Sequence, residues 1–220
     1  MIRPTMHAVV LYSYWRSSCS WRVRSGLALK EIPYRYVAVN LLESEQTQPG
    51  YAERNALRQV PCLEWKDATG ADHRLTQSLA ILQWLDAQPG TRLIPEDPLS
   101  AARAWQLAEI INAGIQPLQN LKVLASITEL GADRKAWGQD VIRDGFRAME
   151  PIAAQTAGRF LVGDAPSIAD LCLLPQLYNA RRFELSLDEF PTLLRVEAAC
   201  ADLPALHAAH PDRQPDAVKE

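Results

Sequence analysis

A chain of 220 residues, 48% hydrophobic and 22% charged, is long enough to bury a sizeable core and has an ordinary soluble composition. Its formal net charge of −3 argues against a nucleic-acid partner, because binding a phosphate backbone needs a surplus of lysine and arginine. No apolar run approaches a membrane span, the first residues lack a signal-peptide core, and the four cysteines and four histidines are scattered. Reduced thiols, no metal site, no membrane and a cytoplasmic location are therefore expected.

The first strand is expected in AVVLYSY (8–14), a short β-branched and aromatic run. WRVRSGLALK (21–30) follows with Val23, Leu27 and Ala28 at helical spacing, and YRYVAVN (34–40) reads as a second strand after the Ile32-Pro33 turn. Strand, helix, strand implies parallel pairing through a right-handed crossover. The polar stretch 41–59 has room for at most one short helix. VPCLEW and HRLT flank the turn KDATGAD as an antiparallel hairpin, and QSLAILQWLDAQ closes the unit as a helix with Leu79, Ile81, Leu82 and Leu85 inward. This order, βαβ then ββα, predicts an α/β thioredoxin-like domain over residues 1–89.

The proline-rich segment PGTRLIPEDPLS (89–100) reads as a linker. An all-α domain is expected from 97 to 220, with periodic runs at 99–125, 134–157, 167–182 and 192–200. Ser167 and Asp170 have capping-box spacing, with Asp in place of Glu or Gln. Pro117, following Gly114, should kink its helix. The tail HPDRQPDAVKE is expected to fray or drape over the surface.

The segment Arg16-Ser17-Ser18-Cys19-Ser20 lies where the first strand hands over to the first helix. A redox enzyme of thioredoxin type would carry two cysteines across this turn; with one, no Cys-x-x-Cys disulfide forms, and thiol chemistry here must act on an external thiol. Lowering a thiol pKa of about 8.5 by about two units takes about 2.7 kcal/mol of preferential thiolate stabilisation. A charge-assisted hydrogen bond supplies about 1.5–3 kcal/mol and a helix N-terminus about 0.3–1 kcal/mol, so one hydroxyl at a helix end suffices without a metal. The competing reading is plain helix capping, which serine does routinely. Cys19 reads either as a low-pKa thiol or as a small residue filling the turn.

The blocks SSCSWRVR, RQVPCL, QSLAILQWL, GIQPLQNL and SIADLCLLPQ, in that order and spanning Val9 to Pro215, resemble the zeta-class glutathione transferases, the family of the maleylacetoacetate isomerases. The resemblance implies a glutathione cofactor whose sulfur is held by Ser17, with Ser18 and Cys19 beside it as the catalytic turn. It implies a cis peptide before Pro61, with the backbone of Val60 pairing to glutathione. It implies the helix start at Gln77 and Ser78 as the seat of the γ-glutamyl carboxylate. Gln46, Gln116 and Asn120 match further cofactor positions. For a small diacid substrate, Arg16 and Arg182, with Arg181 as alternate, match the carboxylate-binding role that suits a bidentate guanidinium. Arg22 and Arg24 are assigned to surface salt bridges.

The implied reaction is glutathione-dependent cis–trans isomerisation of maleylacetoacetate by a homodimer, in the breakdown of tyrosine and phenylalanine. Alternatives are isomerisation of maleylpyruvate, one methylene shorter, and conjugation of glutathione to α-haloacids. A non-catalytic binding module is disfavoured by the joint presence of Ser17, Pro61 and Gln77-Ser78. Asn55-Ala56 replaces the family's usual Asn-Pro, Cys62 stands where threonine is usual, Lys122 replaces a small polar residue, and the hairpin around KDATGAD is longer.

Overall fold

The computed structural model describes residues 6–218, which group into two compact units: the chain up to Leu93 together with Leu203 onward, and Ile94–Asp202. In the first unit, strand β1 (His7–Ser13) leads into helix α1 (Ser18–Leu29), strand β2 (Arg35–Ala38), a short helix α2 (Pro49–Ala52), strands β3 (Cys62–Lys66) and β4 (Asp72–Thr76), and helix α3 (Ser78–Asp86). The sheet order is β2-β1-β3-β4, with β2 parallel and β3 antiparallel to β1, the thioredoxin-like arrangement expected from the sequence.

Register fixes where the loops converge. Ser13 pairs with Ala38, Tyr12 with Cys62, and Cys62 with Thr76. The C-terminal ends of β1, β2 and β4 and the start of β3 therefore share one end of the sheet. The turns after Ser13, after Ala38, before Cys62 and after Thr76 all open there, at the strand ends where α/β sheets place ligands.

Beneath them, Leu79, Ile81, Leu82 and Leu85 of α3 are buried as their helical spacing predicts, together with Val23 and Leu27 of α1. The two helices approach closely at Gly26, where a Cβ atom would lie 2.4 Å from Leu82 Cδ2. Helix α1 is buried around nearly its whole circumference. Its two arginines are fully enclosed, which corrects their assignment to surface salt bridges: Arg22 and Arg24 both have 0% exposure.

The second unit is helical: α4 (Pro98–Glu109), α5 (Leu121–Glu129), α6 (Arg134–Thr156), α7 (Ile168–Arg182) and α8 (Pro191–Ala201). Between α4 and α5 the helix does more than kink at Pro117. It widens to a π-helical segment at Ile110–Ile115, tightens to a 3-10 turn at Gln116–Gln119, and restarts with Asn120 as N-cap. Ser167 and Asp170 form the expected capping box at the start of α7. Asp170 is buried and also accepts from Leu161 N at 2.8 Å; burial without a counter-charge pushes its carboxyl up to about 6. No helix among the described residues is long and apolar enough to cross a membrane.

The tail drapes rather than frays, but over a different unit from the one implied by its place in the chain. Residues from Leu203 onward belong with the first unit rather than the helical one. They form a short helix α9 (Pro204–Ala208) and a 3-10 turn at Pro211–Arg213, then tie down through Asp216 instead of fraying.

Candidate active site

Ser17 is the N-cap of α1: its Oγ accepts a hydrogen bond from Ser20 N at 3.2 Å. Capping uses one lone pair of the hydroxyl and leaves its hydrogen to donate outward. Accepting a backbone N–H also polarises the hydroxyl and strengthens it as a donor. Capping and thiol binding are thus compatible in one side chain. Ser17 and Cys19 are half-exposed, whereas Ser18 and Ser20 are buried, so Ser17 and Cys19 are the members of the turn open to a ligand. Cys19 is a free thiol.

The turn carrying Ser17 is braced from below. Ser17 N donates to Tyr14 O at 3.0 Å. Arg24 donates from Nη2 to Trp15 O at 2.9 Å, from Nη1 to Tyr14 O at 3.4 Å and Ser13 Oγ at 3.2 Å, and from Nε to Ala209 O at 3.1 Å. Burial pushes its guanidinium down to about 10, still charged at neutral pH. Arg22 reaches the other side of the site, donating from Nη1 to Ser78 Oγ at 3.3 Å. Sequence reasoning missed both arginines, since an isolated Arg on a helix is ordinarily solvated. A sequence signal existed: α1 carries two arginines and no aspartate or glutamate, so neither arginine has an acidic partner on its own helix.

The loop before β3 is equally fixed. Val60–Pro61 is cis, and Gln59 O accepts from Tyr51 Oη at 2.5 Å and Asn55 Nδ2 at 2.6 Å. Cys62 is fully buried and its thiol is pushed up to about 11 by burial, which suits a packing residue and not a nucleophile. Gln77, exposed, caps α3 from a left-handed backbone (φ 71°), which costs a non-glycine residue of order 1–3 kcal/mol and is commonly found where function demands it. Ser78 opens α3 and is buried. Gln46 lies in the 3-10 turn Glu45–Thr47 after β2, and its Oε1 is buried without a hydrogen-bond partner among the described residues. Ser17, Cys19, Gln46, Val60, Pro61, Gln77 and Ser78 thus sit on the four turns that share one sheet end.

The remaining predicted residues belong to the second unit. Gln116 starts the 3-10 turn, and Asn120 Oδ1 caps α5 by accepting from Lys122 N at 3.2 Å. Arg181 makes a bidentate pair with Glu197, 2.6 Å at both contacts. Arg182, on the last turn of α7, donates to Asn179 Oδ1 at 3.3 Å. A buried amide pair escaped sequence reasoning: Gln119 Nε2 donates to Gln176 Oε1 at 2.7 Å. Arg16 in the first unit is half-buried, its Cζ 5.2 Å from the Trp15 ring centroid. No cluster of three or more histidine, cysteine or acidic side chains among the described residues has the arrangement of a metal site.

A thioredoxin-type sheet with a serine-capped helix at its ligand-facing end, followed by an all-helical unit, is the build of a glutathione transferase. Residues 16–88 match the family model "Glutathione S-transferase, N-terminal domain" and residues 122–209 the model "Glutathione S-transferase, C-terminal domain". Maleylacetoacetate isomerase of Rattus norvegicus is 44% identical over 214 residues, covering 96% of each chain. Maleylacetoacetate isomerase of Anaeromyxobacter dehalogenans 2CP-1, solved with GSH in its active site, is 50% identical with a TM-score of 0.90, covering 98% of this chain and 100% of that one. A maleyl pyruvate isomerase, described as a bacterial zeta-class glutathione S-transferase, is 38% identical with a TM-score of 0.89, covering 95% and 100%. The chain belongs to the zeta-class glutathione transferase family, the family of the maleylacetoacetate isomerases.

Proposed function

We propose that this protein is a glutathione-dependent cis–trans isomerase of maleylacetoacetate, with Ser17 as the group that holds the reacting sulfur. One observation carries the reading: a half-exposed serine hydroxyl, its oxygen engaged by Ser20 N so that its hydrogen is left to donate to a ligand, at the N-terminus of α1 with no second cysteine across the turn.

The residues present fit glutathione. The orphaned, buried Gln46 Oε1 suits an amide or ammonium donor. The α3 N-terminus at Gln77-Ser78 offers unpaired backbone N–H groups and a positive dipole end to a carboxylate, and the cationic Arg22 stands behind it on Ser78 Oγ. The backbone of Val60 would pair with the peptide-like middle of the ligand. When bound, glutathione supplies a thiolate able to add reversibly to a conjugated double bond, leaving a single bond free to rotate. Ser17 stabilises that thiolate by donating its hydroxyl hydrogen, and the α1 N-terminus adds its dipole. Ser18 anchors the turn, and Cys19 is an accessory beside it. Arg16 is assigned a substrate carboxylate on the family resemblance, and its packing over the Trp15 ring supports the assignment by keeping it beside the Ser17 turn. Gln116, Asn120 and Arg182 are included on the family resemblance. Arg182 is preferred to Arg181 because it is the one that matches the family's arginine, and Arg181 makes its bidentate pair with Glu197.

The relatives named maleylacetoacetate isomerase at 44% and 50% identity support the longer substrate, and maleylpyruvate is the alternative. A cytoplasmic location agrees with four free cysteines. A homodimer follows from the resemblance and is checked by light scattering against the 24.5 kDa chain mass; Leu121 and Leu130, both exposed, are available to a partner. The function is tested by incubating the protein with maleylacetoacetate and glutathione and resolving the products by chromatography. Fumarylacetoacetate with glutathione intact is the expected outcome. A stable glutathione conjugate, or no glutathione-dependent conversion, would contradict the reading.

A further inference from the structure

Residues 209–217 run across the underside of the turn that presents Ser17, and they are fastened at both ends. Ala209 O accepts from Arg24 Nε at 3.1 Å, and the His210 ring meets the Trp21 ring edge-on, 5.0 Å between centroids. At the far end the Asp216 carboxylate accepts from Trp15 N at 3.0 Å with one oxygen and from Tyr36 Oη at 2.6 Å with the other. Ala217 packs on the apolar cluster of Tyr14, Trp15, Val39, Tyr51, Val60 and Cys62.

Trp15 is the residue on which these contacts meet. Asp216 holds its N–H, Arg24 holds its carbonyl at 2.9 Å, the cluster under Ala217 holds its ring, and that ring carries Arg16. Ser17 lies two residues on, hydrogen-bonded back to Tyr14 O. The same cluster includes Val60, on the neighbouring wall of the site. Ser17 is itself tied to α1, its Oγ accepting from Ser20 N and its carbonyl from Trp21 N. What the strap adds is a hold on Tyr14–Arg16, the residues before it that have no helix or sheet ladder of their own and would otherwise lend the turn freedom.

We propose that the C-terminal segment 209–217 is a strap that sets the position of the Arg16–Ser17 turn, with Asp216 as a positioning residue for the thiol site. The strap's reach is fixed by the carboxylate. An aspartate at 216 spans the β1–α1 turn and the Tyr36 hydroxyl on β2 at once, which a single-acceptor side chain does not. Its consequence for catalysis rests on the function proposed above, whereas its effect on the turn does not.

The test uses the full chain with Asp216→Ala and Asp216→Asn, read by site-resolved amide hydrogen exchange without ligand, thermal unfolding, and steady-state kinetics. Asp216→Ala is expected to accelerate exchange at Trp15–Ser18 about tenfold or more, as loss of a charge-assisted hydrogen bond implies, while the β3–β4 amides keep their protection. kcat/KM for the diacid should fall about tenfold, with Asp216→Asn between the two because one acceptor survives. Exchange that rises equally across the whole unit, or does not rise at Trp15–Ser18, would overturn the strap. Should Asp216→Ala not fold, Tyr36→Phe removes the second anchor alone; it is expected to loosen Trp15 about threefold, and no change there would also overturn the proposal. Accelerated exchange in a protein whose wild type neither binds glutathione nor turns over substrate would sink the proposed function and leave the strap standing.

Discussion

Replacing Ser17 separates the two duties of its hydroxyl. Ser17→Ala removes the acceptor for Ser20 N, an N-cap contact whose loss costs about 1 kcal/mol of stability. It also removes the donor to the bound thiolate, about 1.5–3 kcal/mol, which is roughly a ten- to hundred-and-fifty-fold loss of rate at neutral pH. The dipole of α1 remains and keeps part of the effect. Ser17→Asp should keep or improve the cap, because a carboxylate suits a helix N-terminus, yet repel the thiolate. Stability would then hold while activity falls further than in the alanine variant. The assay is kcat/KM against pH alongside thermal unfolding. Because the lost term acts on the thiolate, the deficit of Ser17→Ala should shrink as pH rises towards the ordinary thiol pKa of about 8.5. Cys19→Ala should cost only a few-fold, since no step requires a second sulfur. A Ser17→Ala enzyme with the wild-type pH profile, or a dead Cys19→Ala beside a healthy Ser17→Ala, would refute the assignment.

Three further outcomes follow from the geometry. Arg24→Leu strands the buried acceptors Ser13 Oγ, Tyr14 O, Trp15 O and Ala209 O and should destabilise the protein by about 3 kcal/mol or more in denaturant titrations. Arg182→Ala should lower kcat/KM for the diacid about tenfold or more and spare uncharged electrophiles, whereas Arg181→Ala, which breaks an exposed pair with Glu197, should cost at most about 1 kcal/mol of stability and little activity. Equal losses on charged and uncharged substrates would make Arg182 structural. Asp170, its folded pKa raised to about 6, binds its proton more tightly in the folded than the unfolded chain. It therefore contributes about 3 kcal/mol below about pH 4, and this is lost as pH rises through 6; Asp170→Asn should flatten that part of the stability–pH curve.

Much of this was legible where local chemistry decides structure. The strands, the α3 face of Leu79, Ile81, Leu82 and Leu85, and the Ser167–Asp170 box depend on neighbours along the chain, and their patterns survive folding. The break near Pro117 was legible in place but not in form, because a π-to-3-10 passage depends on what packs against it. Gly145 lets α6 come so close that a Cβ there would lie 2.2 Å from Ile115 Cδ1. Arg22 and Arg24 were illegible for a different reason. Part of what satisfies Arg24 is the carbonyl of Ala209, 185 positions away, and carbonyls carry no side-chain signature. The tail's proline and polar residues could not decide between fraying and draping, the two outcomes its sequence allowed, because they predict little self-structure. It is held instead by groups it does not contain: Trp15 N, Tyr36 Oη and Arg24.

The most direct test of the central claim counts products against glutathione. With one equivalent of glutathione per subunit and a large excess of maleylacetoacetate, the protein should convert essentially all of the substrate to the fumaryl isomer and leave the glutathione free and unmodified at the end. Conversion that stops after one product per glutathione, with the sulfur bound up in an adduct, would contradict it.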